Sequence, residues 1–208
     1  MAKKKRDIPA AYTAYVLEKG QRPPSVKVFA DELGLEEAAF YREYSGFEAI
    51  EQTLFLGYFQ ETLEVLEKDE TYQTYNSREK VLALFFTWLE TLKGQRSLVV
   101  FMDRQKLTPF GVGYVAPTQS LFVDTARQLI TAGIDQGEIA DRWFVPRTYR
   151  NALWWQALMI LNYWISDTSN NFEKTDALVE KSVNFFFDVI EPNALDSGFD
   201  LVKFLFKR

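Results

Sequence analysis

Ser25-Val26-Lys27-Val28-Phe29-Ala30-Asp31-Glu32-Leu33-Gly34-Leu35-Glu36-Glu37-Ala38-Ala39-Phe40-Tyr41-Arg42-Glu43-Tyr44 is the stretch whose reading decides the fold. Val26, Phe29, Ala30 and Leu33 fall at i, i+3, i+4 and i+7, one buried stripe of a short helix. Ser25 is a good N-cap for it, and Gly34 breaks it. A further helix begins near Glu36, with Phe40 and Tyr44 one turn apart on its core side. Two short helices around a glycine turn have the spacing of a helix-turn-helix. The charges oppose the DNA reading of that motif. Across residues 25–55 the bases are Lys27 and Arg42, against Asp31, Glu32, Glu36, Glu37, Glu43, Glu48 and Glu51. DNA affinity comes largely from phosphate neutralisation, so an acidic face works against it.

Working outward, turn signals cut the chain into helix-length pieces with helical apolar spacing, and no series of alternating strand segments appears. A first helix over 8–19 stops at Gly20, and Arg22-Pro23-Pro24 is a linker. Helices are predicted over 47–68, 77–93 and 96–107, with Val81, Leu84, Phe85, Trp88 and Leu92 on one side of the second. Residues 108–117 read as a loop; its Gly111-Val112-Gly113 follows no strand and precedes no lysine, so it is not a phosphate cradle. A helix over 121–135 leads to a turn at Gly137-Glu138-Ile139. The helices over 147–166 and 178–190 are apolar nearly all round and must each pack on more than one neighbour. A short apolar segment with basic ends, 199–206, closes the sequence. The expectation is an all-α chain: a three-helix head over 1–52, then a helical bundle over 53–208.

Composition narrows the function. A chain of 208 residues that is 47% hydrophobic can bury a sizeable core. It has no cysteine and no histidine, which removes disulfides, thiol nucleophiles, His-based triads and His-ligated metals. Carboxylate pairs such as Glu61 and Glu64 are routine on exposed helices. No catalytic residue, metal or cofactor is expected, and the chain is read as a non-enzyme. The net charge is −5, and the clearest basic run is Lys3-Lys4-Lys5-Arg6, which suits either a DNA arm or a solubilising terminus. Asp7, Pro9 and Glu18-Lys19 interrupt any signal peptide, and the densest apolar stretch, 152–165, contains Gln156 and Asn162, so no membrane span is expected.

The ordered set Leu17-Glu18-Lys19-Gly20, Ser25-Val26, Ala30-Asp31-Glu32-Leu33-Gly34-Leu35, Phe40-Tyr41-Arg42-Glu43-Tyr44 and Glu48-Ala49-Ile50 resembles the DNA-binding domain of the TetR family of bacterial repressors, over about 45 ungapped residues. The departures fall where the family touches DNA. Glu36 and Glu37 stand where the family has a hydroxylic cap and often a lysine, Ala39 replaces a threonine, and Phe47 replaces a lysine. Tyr41, a frequent phosphate contact in the family, is retained, and Arg42 can reach a base or phosphate. With the basic run Lys3, Lys4, Lys5 and Arg6 as a candidate arm, the expected DNA contacts are Lys27, Tyr41 and Arg42, with Glu37 able to accept a hydrogen bond from cytosine.

The same resemblance implies a cytoplasmic, ligand-responsive repressor whose bundle encloses a small apolar ligand. The candidate lining is Phe85, Trp88, Phe101, Met102, Trp154, Trp155, Met159 and Tyr163, with Gln105, Gln156 and Asn162 as orienting polar groups. Ordinary core packing is the competing reading of these aromatics. A homodimer is expected through helices at about 147–166 and 174–191. The alternative function is a TetR-shaped lipid- or isoprenoid-binding protein that has lost DNA binding. The acidic head favours it, as does the segment 199–208, whose apolar residues beside Lys203, Lys207 and Arg208 suit either a membrane surface or docking on its own domain.

Overall fold

The computed structural model describes residues 7–105, 113–140 and 145–190, and among them the chain forms ten α-helices and no strand. In chain order these are α1 (Ile8–Lys19), α2 (Val26–Glu32), α3 (Glu37–Tyr41), α4 (Phe47–Lys68), α5 (Glu70–Thr74), α6 (Ser77–Lys93), α7 (Arg96–Arg104), α8 (Ala116–Asp135), α9 (Val145–Ser166) and α10 (Glu173–Ile190). Lys3, Lys4, Lys5, Arg6, Trp143 and the segment 199–208 lie outside the described residues. The described residues form two compact units. The head unit takes those of 1–61 and 91–119; the bundle unit takes those of 62–90 and 120–208.

In the head unit, local chemistry sets the helix ends. The Asp7 carboxylate accepts from the Ala10 N–H at 3.0 Å, and Pro9 fits the first turn of α1, where its missing N–H costs nothing. Gly20, with φ of 67°, ends α1 in the left-handed region and donates its N–H to Val16. Ser25 Oγ accepts from the Val28 N–H and starts α2. After α2, Gly34 takes φ of 61° while the Leu35 N–H reaches the Ala30 carbonyl and the Gly34 N–H that of Asp31. This is a Schellman closure, which favours glycine because the left-handed position penalises a Cβ. Tyr12, Phe29 and Phe40 are fully buried, and Phe47 joins them: it stacks on Tyr12 at 5.4 Å and meets Phe29 and Phe40 edge-on at 5.7 and 5.9 Å.

A buried charge cluster holds the same unit together. The Glu51 side chain on α4, 1% exposed, accepts from Tyr12 Oη at 2.6 Å and from Arg22 Nε at 2.9 Å, with a second Arg22 nitrogen on its other oxygen. Burial, then the Glu51 carboxylate, pushes the Tyr12 hydroxyl well above its ordinary pKa, so it stays a donor. α7 packs against α1. A single 3-10 turn at Gly113–Val115 is tied to α4: Gln52 Nε2 donates to the Gly113 carbonyl at 3.1 Å, and Tyr114 packs edge-on against Phe55 at 4.8 Å.

In the bundle unit, the turn at Gly137-Glu138-Ile139 does more than reverse the chain. Gly137 has φ of 75°, and the Glu138 carboxylate accepts from the Ser77 N–H at 2.7 Å, capping α6. A Cβ on Gly133 would lie 2.5 Å from Ser77 Oγ and 2.6 Å from Ile139 Cδ1, so a larger residue there would force the Ser77 and Ile139 side chains to shift. Arg78 on α6 donates to Asp188 and Asn184 on α10 and lies over the Phe187 ring. α9 and α10 pack on each other, and Asp167 organises their connection. Its carboxylate accepts from Thr175 N–H and Oγ1 and from Ser169 N–H and Oγ. Thr175 first, then Ser169, holds that carboxyl below the usual range.

Several boundaries differ from the sequence reading. α8 starts at Ala116 rather than 121, because Pro117 sits in its first turn, where proline is tolerated. α10 starts at Glu173 rather than 178, and α7 ends at Arg104 rather than 107. The short α5, capped by Asp69 on the Thr71 N–H, is too brief to show a helical period.

Candidate DNA-contact face and ligand interior

On the head unit, the expected DNA-contact residues Lys27, Tyr41 and Arg42 are exposed and Glu37 is half-buried. Tyr41, 52% exposed, is the last residue of α3, and its ring rests edge-on against Phe40. Arg42 is the C-cap of α3 and is exposed. Lys27 is exposed but reaches both carboxylate oxygens of Asp31 one turn on, so its charge is already shared. Glu36 caps α3 by position only, without a side-chain hydrogen bond. Glu51 does not belong to the surface tally, because it is buried against Tyr12 and Arg22. The face that remains is acidic at the start of α3 and carries Tyr41 and Arg42 at its end.

In the bundle unit, three expected ligand residues come together around one that the sequence reading missed. Phe85, Trp88 and Trp154 all pack on Phe122, with ring centroids at 6.1, 6.0 and 5.4 Å. All four are buried. Phe122 lies on α8, whose apolar residues are too evenly mixed with polar ones to single it out. Gln156 is half-buried and donates from Nε2 to Ser182 Oγ at 2.8 Å, which links α9 to α10. Asn162 is exposed and donates back to the Leu158 carbonyl. Trp155, Met159 and Tyr163 repeat every four residues and are 62%, 47% and 39% exposed, a stripe on the outside of the chain rather than its interior. Phe185 on α10 is likewise exposed. Phe101 and Met102 are buried on α7 in the head unit, and Gln105, its C-cap, is exposed.

A family model described as "Tetracyclin repressor-like, C-terminal domain" matches residues 80–205, more than half of the chain. The chain belongs to the TetR family. Solved structures agree on the fold. The transcriptional regulator FadR from Bacillus subtilis, in complex with stearoyl-CoA, is 17% identical with a TM-score of 0.61, covering 88% of this chain and 98% of its own. FadR from Bacillus halodurans is 14% identical with a TM-score of 0.60, covering 86% and 96%. The TetR-family regulator PfmR from Thermus thermophilus is 17% identical with a TM-score of 0.53, covering 93% and 100%. No curated protein matches the sequence. The all-α architecture of this TetR-family chain is thus as its sequence indicates, and the family is one of regulators rather than enzymes. Among the described residues no helix is long and apolar enough to cross a membrane, and no group of acidic side chains is arranged to hold a metal ion.

Proposed function

We propose that this TetR-family chain is a cytoplasmic, dimeric, ligand-responsive repressor. The observation that carries the reading is the assembled helix-turn-helix, which keeps Tyr41 and Arg42 exposed at the end of α3. Lys27, Glu37 and the run Lys3 to Arg6 complete the proposed DNA contacts, the basic run compensating for the acidic start of α3. The apolar ligand would lie in the bundle unit against Phe122 and its aromatic neighbours. The stearoyl-CoA held by the Bacillus subtilis FadR structure supports an apolar ligand class. The exposed stripe of Trp155, Met159 and Tyr163, with Phe185, is apolar surface of the kind that marks a protein interface, and it supports pairing of two copies through α9 and α10. A ligand would alter DNA affinity only by binding the DNA-competent and DNA-incompetent arrangements unequally.

The test is fluorescence anisotropy with DNA from upstream of the chain's own gene. Sequence-preferring binding that weakens steeply with salt is expected. No binding at low salt, or binding without sequence preference there, defeats the repressor reading.

One observation favours a second reading. With Lys27 engaged by Asp31 and Glu36 exposed, the α2–α3 face offers little phosphate-neutralising charge. A protein that kept the fold, lost DNA binding and carries a lipid or isoprenoid would show this. It would bind apolar ligands while ignoring DNA. A membrane-surface role for residues 199–208 would appear in liposome co-sedimentation as binding lost on truncation at 195.

A further inference from the structure

Arg150 stands on α9 one helical turn before Trp154, and side chains four apart share a helix face. Trp154 is buried and packs on Phe122, so that face leads toward the aromatic interior of the bundle unit. Arg150 is half-buried, and its Nε is shut off from solvent without a hydrogen-bond partner. A guanidinium keeps its charge at any pH a protein experiences, and a buried donor without an acceptor is costly. The buried Nε therefore lacks an acceptor one helical turn from the buried Trp154, an arrangement that a ligand with an anionic end and an apolar body would complete.

Resting on the ligand-responsive reading above, we propose that Arg150 is the anion-binding residue of the bundle unit and that the ligand class is a carboxylic acid with an apolar body. The guanidinium would take the carboxylate through charge-assisted hydrogen bonds. The hydrocarbon part would extend along the Trp154 and Phe122 side. A neutral alcohol of the same length keeps the apolar contacts and loses the ionic one. A coenzyme A thioester carries its charge far from the acyl carbon.

The experiment titrates the full chain with decanoate, decanol and decanoyl-CoA, reading tryptophan fluorescence. The variants are Arg150→Leu, Arg150→Lys and Arg150→Gln, each checked by circular dichroism for retained helix. Decanoate is expected to bind the parent chain more tightly than decanol or decanoyl-CoA. Arg150→Leu and Arg150→Gln should weaken decanoate roughly ten- to a hundred-fold and leave decanol unchanged. Arg150→Lys should retain most of the affinity. If decanoate binds the parent and the Leu variant equally, the assignment of Arg150 is overturned while the ligand interior stands. Tighter binding of decanoyl-CoA than decanoate overturns the free-acid class. If no probe binds the parent chain, the ligand-responsive reading fails, and the role of Arg150 fails with it.

Discussion

Removing the Arg22 guanidinium tests what holds the head unit together. Glu51 is 1% exposed and Arg22 32% exposed, and Tyr12 supplies the remaining donor. Arg22→Met leaves the carboxylate buried with one neutral donor. Breaking a buried ion pair by deleting one member costs roughly 3–5 kcal/mol. Arg22 is about a third exposed and Tyr12 remains, so water and the phenol recover part of that, and about 2–3 kcal/mol is expected. Deleting the whole cluster, as Tyr12→Phe with Arg22→Met and Glu51→Met, should return to within about 1 kcal/mol of the parent chain, because no buried charge is then orphaned. Urea unfolding at neutral pH, followed by far-UV circular dichroism, reads both values from the shift in midpoint. A loss under about 1 kcal/mol for Arg22→Met, or a triple variant less stable than the single one, would refute the reasoning: the cluster would then be incidental to the head. If the head binds DNA as proposed, Arg22→Met should also weaken that binding, although Arg22 meets Glu51 rather than DNA.

Three further outcomes follow from the bundle unit. Gly133→Ala places a Cβ against Ser77 Oγ and Ile139 Cδ1 and should destabilise by about 1–3 kcal/mol, read as a lower Tm; an unchanged Tm means that the α6–α8 closure is looser than described. Because the Asp167 carboxyl is held below its ordinary pKa, its contribution is full above about pH 4, the unfolded-chain value. It is lost as pH falls through the lower folded value. Asp167→Asn should therefore lower stability at pH 7 and flatten the acid side of the stability profile, and a parallel, unshifted profile would count against the cap. Trp155→Glu with Phe185→Glu should convert a dimer to a monomer in sedimentation equilibrium; a parent chain already monomeric at micromolar concentration removes the α9–α10 pairing.

Much of the fold was legible in the sequence because it is set locally. Gly20, and Ser25 with Gly34, act within four residues of the helix ends they define, so the end of α1 and both ends of α2 can be placed without knowing what they pack against. The long spans of α4 and α6 follow from apolar periodicity alone. The resemblance of residues 17–50 to the TetR head likewise rests on ordered local spacing, and the match over residues 80–205 agrees with it.

Tertiary structure decided the rest, because burial and pairing depend on partners far apart in the chain. Glu51 counts as one more acid in a linear tally, yet it accepts bonds from Tyr12 and Arg22, 39 and 29 residues away, and leaves the surface. Phe47 marks a lost lysine in the sequence, and in the fold its ring joins the core of the head. Trp154 and Trp155 are neighbours of the same residue type, but one turns onto Phe122 and the other outward, a step of about 100° around the helix. The sequence alone determined the longer helices and the family they belong to. Only packing determined which charges remain exposed on the head, and which of the aromatics line the interior of the bundle rather than its outer face.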